Sequence, residues 1–469
     1  MFLTPSPLAD ILLLCIVGVM VAHSLYQIRR GRFMMMDPLN AFWGGCLVVY
    51  FIQPISFYST VHSWRAEGII EETLFWIFVA MISVVIGYEL PVGIKVGSRL
   101  PTLPARLNPS KLVFAAIILL GLSFLAMWYQ ASLAGGWSFW ISNVRGAAPM
   151  ATSYITDFQG LLPVGVLLLF FADQLYGDTR TFRRGAVWAL MWLTWLWFVY
   201  IGSRSRTVVC MIFIVAAYYL PRKKNPPLRL IIPTMVALFF LANFMAFFRG
   251  NFTDLSLHFE KLQWTDVKVK IFGAFLPNDP DVRLAKSDAM VSGGLEFNVV
   301  AATVELVPSR IGYNYGYGLL ELFTRPIPHS WWPDKRYPRM EAYTPILFQG
   351  SLGGSWSTDT YLPILAGPSF TLVGFSYAAG GPIGTIFFGI ISGVIFRIFR
   401  TFYDRDPNNQ SHMIVYILLL QIGFGEACAE PFYWPIRLWA VFLPLILFLY
   451  LCQDRRTLGG DQFVPLPET

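Results

Sequence analysis

Charge is what this sequence has least of. Only 13% of its 469 residues are Asp, Glu, Lys or Arg, against roughly 25% in soluble domains, while 55% are apolar. Water cannot solvate such a chain, so most of it is predicted to sit in lipid. Clustered cysteine is also missing. Cys15, Cys46, Cys210, Cys428 and Cys452 fall one by one in or beside different apolar segments. No CxxC spacing or Cys/His cluster is present, which argues against a disulfide framework, a structural metal or a thiol redox centre. The five histidines are equally scattered. No repeat of fixed period and no linker rich in Pro, Gly or Ser divides the chain, so a single membrane domain is predicted.

Long apolar runs are abundant. Segments able to form spans, each needing about 20 residues, are read at 11–26, 39–58, 74–88, 112–129, 161–171, 186–201, 207–220, 230–248, 374–396, 413–427 and 438–451. The fold class predicted is therefore an all-α integral membrane protein of about eleven helices. Spans 1 to 8 occupy 1–249, a long polar excursion 250–373, and spans 9 to 11 with a short tail 374–469. The first apolar run lacks the basic leader and small-residue cleavage site of a signal peptide and reads as a retained span.

Cations set the orientation, because Lys and Arg near span ends stay cytoplasmic. Arg29, Arg30 and Arg32 follow the first span, Lys95 and Arg99 the third, Arg183 and Arg184 the fifth, Arg222, Lys223 and Lys224 the seventh, and Arg397, Arg400 and Arg405 the ninth. The other connections hold few, mainly Arg65, Arg145, Arg204, Arg206 and Arg437. The N-terminus and the long excursion are thus expected outside and the C-terminus inside. The net charge of +7 is then a topology signal, and no nucleic-acid partner is implied.

Cations on the outer face go against this bias, which makes them candidates for binding. Gly202-Ser-Arg204-Ser-Arg206 joins the sixth span to the seventh. Ser203 or Ser205 can cap the seventh helix, whose N-terminal amides then share an anion site with two guanidiniums suited to phosphate oxygens. The competing reading is interfacial anchoring to lipid headgroups. In the excursion, Arg325, Lys335, Arg336 and Arg339 lie close in sequence to Trp331, Trp332 and Tyr337. That mixture suits sugar stacking beside a diphosphate, and equally an aromatic belt with snorkelling cations. Residues 295–307 have apolar positions at helical spacing and predict an amphipathic helix lying over the outer face.

Acids in or beside spans are costly and therefore suspect. Glu426 and Glu430 end the tenth span four residues apart, on one helix face, able to take a proton from a hydroxyl or to pair with Arg204, Arg206 or Arg437. Glu296 opens the predicted loop helix, and His329 is a lone loop histidine. Small residues at 367–384 permit close helix packing, with Ser369 and Tyr377 as candidate cavity residues.

With these residues in view, the chain resembles the oligosaccharide repeat-unit polymerases of the Wzy type. The likeness rests on span pattern and on Asp37-Pro-Leu, Gly135-Gly-Trp137 followed by Arg145, Gly202-Ser-Arg204, Glu296 with Arg325-Pro-Ile-Pro and Trp332-Pro-Asp-Lys335-Arg336, and the Gly-rich passage followed by Glu426 or Glu430 and Arg437. His329 matches no part of that pattern. The resemblance implies a GT-C-like, lipid-linked glycosyltransferase of the bacterial inner membrane, acting on undecaprenyl-diphosphate oligosaccharides without metal or cofactor, beside a flippase and a chain-length regulator. It implies that Arg204, Arg206 and Arg336 meet the charge of the leaving diphosphate, with Arg325, Lys335, Arg339, Arg145 and Arg437 as further substrate contacts. The acceptor proton falls to Glu426, Glu430 or Glu296, in that order. An O-antigen ligase would share fold and donor and differ in its acceptor. A transporter or flippase of lipid-linked oligosaccharide is less consistent, because no internally duplicated halves with paired broken helices are seen.

Overall fold

The computed structural model describes residues 4–133, 135–137, 140, 157–176, 181–200, 204–227, 229–230, 233, 296–324, 327, 331–332, 370–428 and 433–454. Among these the regular elements are helices, apart from one antiparallel bridge between Leu107 and Gln453. Helix starts follow local chemistry. Helix α1 (Pro7–Arg29) begins where the Ser6 hydroxyl accepts the Ala9 N–H and Pro7 pre-sets the first helical φ. Asp37 caps α2 (Pro38–Cys46) in the same way. A widened π turn, Leu47–Ile52, then leads into α3 (Gln53–Trp64). Pro54 explains the π turn: it has no N–H for the Tyr50 carbonyl, and Gln53 N–H instead reaches five residues back to Val48.

The chain continues through α4 (Ile69–Glu89), α5 (Pro91–Gly97), α6 (Pro109–Leu133), α7 (Leu161–Tyr176), α8 (Thr181–Tyr200), α9 (Arg204–Tyr219), α10 (Glu296–Leu306), α11 (Leu372–Arg405), α12 (Gln410–Cys428) and α13 (Tyr433–Leu451). Seven described stretches are long and apolar enough to cross a bilayer: Pro7–Arg29, Pro38–Ile55, Ile69–Glu89, Pro109–Leu133, Phe158–Tyr176, Leu372–Arg405 and Gln410–Cys428. Arg206–Tyr219 and Trp439–Leu451 are apolar but shorter. The span read at 186–201 lies on α8, and the one read at 230–248 lies outside the described residues.

The bundle has a centre. Of its best apolar window α12 buries 89%, against 33% for α1, whose Leu8, Ile11 and Leu14 face outward. Helix α11 lies along α4 at glycine distance. A Cβ on Gly393 would sit 2.0 Å from the Val84 carbonyl oxygen, and one on Gly87 2.0 Å from that of Ile390. The two backbones touch only because neither position carries a side chain.

Helix α11 is broken. Gly380 and Gly381 leave helical geometry, Gly381 at φ 58°, just ahead of Pro382. The Ala378 carbonyl would normally receive the N–H of residue 382, and proline has none. Asn314 N–H takes that place at 2.9 Å, and the Tyr313 ring packs on Gly381. The close packing read into 367–384 is thus joined by an interruption repaired from another segment. Tyr377 is buried against Trp76, and Ser369 lies outside the described residues.

The connections rich in Lys and Arg meet at one end of the bundle, hereafter the basic end. There Asp37 accepts from Tyr88 at 2.6 Å and faces Arg400 at 3.5 Å, Arg400 donates to Asp404 at 2.7 Å, and Tyr416 donates to the Met36 carbonyl at 2.7 Å. Arg405 donates to the carbonyls of Ser98 and Leu100, Met35 N–H to Asn225, and Lys111 to the carbonyls of Leu451 and Gln453.

One expectation is corrected. The helix predicted at 295–307 forms as α10, but Phe297 through Val304 are all buried, so it is inserted among α3, α4 and α11 and does not lie on a surface. Its polar side chains found protein partners. Arg65 donates to Asn298 at 3.0 Å and to Glu305 at 3.2 Å, Ala66 N–H donates to Glu305 at 3.1 Å, and Thr303 donates to the Val299 carbonyl. Burial pulls the Arg65 guanidinium down from its ordinary range, and Glu305 acts against that pull.

Candidate functional site

Glu296 and Arg206, at the starts of α10 and α9, lie at the end opposite the basic one. Glu296 is half-buried at the start of α10. Gln53 donates from Nε2 to its Oε2 at 2.6 Å and accepts the Phe297 N–H on Oε1 at 3.0 Å. The π turn ends at Gln53, so the irregularity forced by Pro54 also delivers this amide to the helix start. Cys428, the last residue of α12, is near enough to feel the Glu296 charge. A Cβ on Gly45 would meet both Ala427 and the Cys428 Sγ. Around this junction the Tyr50 and Thr371 hydroxyls are buried and face each other, with the Val373 backbone beside Tyr50.

Glu426 stands apart from the sequence expectation. It is 1% exposed and turned toward the Ser392 hydroxyl of α11. Among the described residues no cation pairs with it. Glu430, expected on the same face, lies outside the described residues.

Arg206 is half-buried in the first turn of α9, which begins at Arg204, so Ser205 lies inside the helix, while Ser203 is outside the described residues. Its Nη1 donates to Gln159 Oε1, and Gln159 Nε2 donates to Gln130 Oε1 on α6. A guanidinium only donates, so the Gln159 oxygen must face Arg206 and the whole chain of amides is oriented. The Phe198 ring lies 5.8 Å from the guanidinium carbon. Beside it is a cavity of about 50 Å³ lined in part by Asp157, Arg206, Cys210 and Gln421, large enough for water. Gln421 belongs to α12, so this helix touches the Arg206 cavity partway along and the Glu296 junction at its end.

The side chains of Arg204 and Arg437 lie outside the described residues, as do Arg145, Arg325, Lys335, Arg336, Arg339, Tyr337 and His329. Trp331 and Trp332 are described and open, 80% and 42% exposed.

A larger cleft, about 880 Å³, lies between α1, α3 and α4 and includes Tyr58, His62, Glu67, Glu71, Glu72 and Phe75 in its lining. Tyr58 donates to Glu71 at 2.9 Å and stacks on His62. With three carboxylates and no Lys or Arg among its lining residues, it is ill matched to a diphosphate. Sequence reasoning missed Gln53, Gln159, Tyr50 and Thr371. Pro54 signalled an irregular turn at Gln53; the other three carried no local signal.

A multi-pass helical bundle with cations sorted to one end and a carboxylate, an arginine and buried hydroxyls at the other defines an integral membrane protein with a polar site near one end of its spans. The family model for the O-antigen polysaccharide polymerase Wzy matches residues 7–456, and the chain belongs to that family. The family comprises glycosyltransferase-like polymerases of polysaccharide biosynthesis, acting in membranes on lipid-linked oligosaccharide repeat units. Neither a curated protein nor a solved structure matches the chain.

Proposed function

We propose that this protein transfers a growing glycan from undecaprenyl diphosphate to the non-reducing end of a new lipid-linked repeat unit, at the outer face of the bacterial inner membrane. The observation that carries the reading is the family match across residues 7–456. A half-buried Glu296 and a half-buried Arg206 at the end opposite the basic one are consistent with it. The N-terminus and the excursion face the periplasm, the C-terminus the cytoplasm, and the architecture is GT-C-like. A flippase delivers repeat units, and a chain-length regulator acts beside the polymerase.

In the transfer, the acceptor hydroxyl oxygen bonds to the anomeric carbon of the growing chain while the bond from that carbon to the diphosphate oxygen breaks. The diphosphate leaves with the electron pair, and the hydroxyl proton passes to a carboxylate. In-line displacement inverts the anomeric centre. Arg206, with Arg204 and Arg336, meets the charge developing on the leaving group. Arg145, Arg325, Lys335, Arg339 and Arg437 hold the rest of the anionic donor, and Trp331, Trp332 and Tyr337 stack sugar rings. Of the three candidate acids, Glu296 is assigned as the base. It is half-buried and held by a neutral amide, whereas Glu426 is closed off.

The test uses purified protein in detergent, cognate undecaprenyl-diphosphate repeat units, a chelator and no nucleotide sugar, with glycolipids resolved on a gel. A ladder of products is expected. Folded protein giving no ladder overturns the reading, and a ladder that appears only on adding divalent metal overturns the metal-independent part. Arg206→Ala is expected to cut turnover about 10²- to 10³-fold, the effect of removing one donor to a developing oxyanion.

A further inference from the structure

We propose that Gln53 is a positioning residue for the transfer reaction, holding Glu296 so that one carboxylate oxygen is fixed and the other is presented to the acceptor hydroxyl. The inference rests on the reading of Glu296 as the base.

The geometry determines the Gln53 amide completely. Phe297 N–H can only donate, so the atom facing it at 3.0 Å is the Gln53 oxygen. The amide nitrogen must then face Glu296, where it donates to Oε2 at 2.6 Å. One neutral side chain thus caps the first turn of α10 and immobilises the first residue of that helix. Helix α10 cannot swing away, because Arg65 holds Asn298 and Glu305 further along it. Helix α3 is equally constrained at Gln53, since the π turn before Pro54 sets its rotation about the helix axis.

Two features fit a site and not merely a packing contact. Asp37 is met by the cation Arg400 and the half-buried Glu89 by the Gln27 amide together with His23, whereas Glu296 has the Gln53 amide and no ring or cation beside it among the described residues. Gln53 fixes the geometry and leaves the negative charge whole, which a proton acceptor requires. The second oxygen, Oε1, has no hydrogen-bond partner among the described residues, and Glu296 is only half-buried. Held this way, the carboxylate needs no reorientation when the hydroxyl proton arrives, and the proton goes to the oxygen that Gln53 does not occupy.

The test uses the full chain in detergent, with thermal unfolding and the ladder assay run on the same preparations. Gln53→Met removes both hydrogen bonds at nearly constant volume; kcat is expected to fall about 10- to 100-fold, with KM for the lipid-linked acceptor changed less than about threefold. Gln53→Glu sets two carboxylates against each other and should lower both Tm and turnover. The reciprocal double variant, Gln53→Glu with Glu296→Gln, exchanges amide and carboxylate and can remake both hydrogen bonds. It should recover Tm while turnover stays down by about 10²-fold or more, because the base is gone.

Recovery of turnover in the double variant would make Glu296 a structural anchor and overturn the proposal. So would wild-type kcat in Gln53→Met. Failure of the double variant to recover Tm would remove the hydrogen-bond geometry itself, a result independent of any activity. An inactive wild type would overturn the polymerase reading, and with it the catalytic role assigned here, whatever the Tm series gave.

Discussion

Two acids toward opposite ends of the bundle, the buried Asp37 and the half-buried Glu296, are held differently. At the basic end Asp37 is answered by Arg400, by the Tyr88 hydroxyl and by the Leu39 N–H of the helix it caps. At the other end Glu296 is answered by the neutral amide of Gln53. The Tyr50 and Thr371 hydroxyls there are buried and face each other. An ion pair cancels charge and fixes a fold. An amide fixes geometry and leaves charge available. By this comparison the Asp37–Arg400 pair is a clasp, and the Gln53–Glu296 pair is where a proton can be taken up.

The largest effect predicted at the clasp comes from Arg400→Met. The Arg400 side chain is 12% exposed and its Asp37 partner 7%, so the change strands a buried carboxyl and should cost about 3–5 kcal/mol. Thermal unfolding in detergent should show the loss, and Asp37→Asn on top of it should recover a large part. An Arg400→Met protein of unchanged Tm that no longer makes a ladder would erase the distinction between the two ends.

An intermediate effect is expected at the break in α11. Gly381→Ala places a side chain at φ 58°, costing about 1–2 kcal/mol, and its Cβ would meet the Tyr313 hydroxyl at 2.6 Å. Displacing Tyr313 should loosen the adjacent bond from Asn314 N–H to the Ala378 carbonyl. A Tm drop with a reduced yield of long glycans is expected. A drop in Tm with unaltered products would assign the break to stability alone.

Much of the bundle was legible because apolar runs, Pro at helix starts and sorted cations are local signals. The interruption at Gly380-Gly381-Pro382 is not among the sequence expectations, which read its small residues only as close-packing positions. What was not legible is long-range pairing. Tyr88 and Arg400 reach Asp37 across 51 and 363 residues, and Gln53 reaches Glu296 across 243. The reading of α10 as a surface helix failed for a related reason. Asn298, Thr303 and Glu305 look like a solvated face until Arg65, from a loop more than two hundred residues away, supplies partners for two of them. The ranking of the three acids had the same weakness. Spacing of four between Glu426 and Glu430 predicts a shared helix face and says nothing about whether that face opens.

The smallest predicted effect concerns Glu426, first in the sequence ranking. It is 1% exposed and faces the Ser392 hydroxyl. Glu426→Gln keeps shape and volume, removes an ionisable group from a site that offers it no cation, and supplies an N–H that Ser392 can accept. Tm should stay the same or rise, by an amount worth about 1 kcal/mol or less, and the glycan ladder should persist. Glu296→Gln, by contrast, should abolish the ladder at unchanged Tm. If Glu426→Gln were the silent enzyme and Glu296→Gln the active one, the acceptor hydroxyl would have to reach α12 between α11 and α2. That space is closed in this structure, where α2 and α12 approach so tightly that a Cβ on Gly423 would lie 2.0 Å from the Pro38 carbonyl oxygen. Such an outcome would require those helices to part during turnover and would move the reacting centre from the α10 junction into the middle of the bundle.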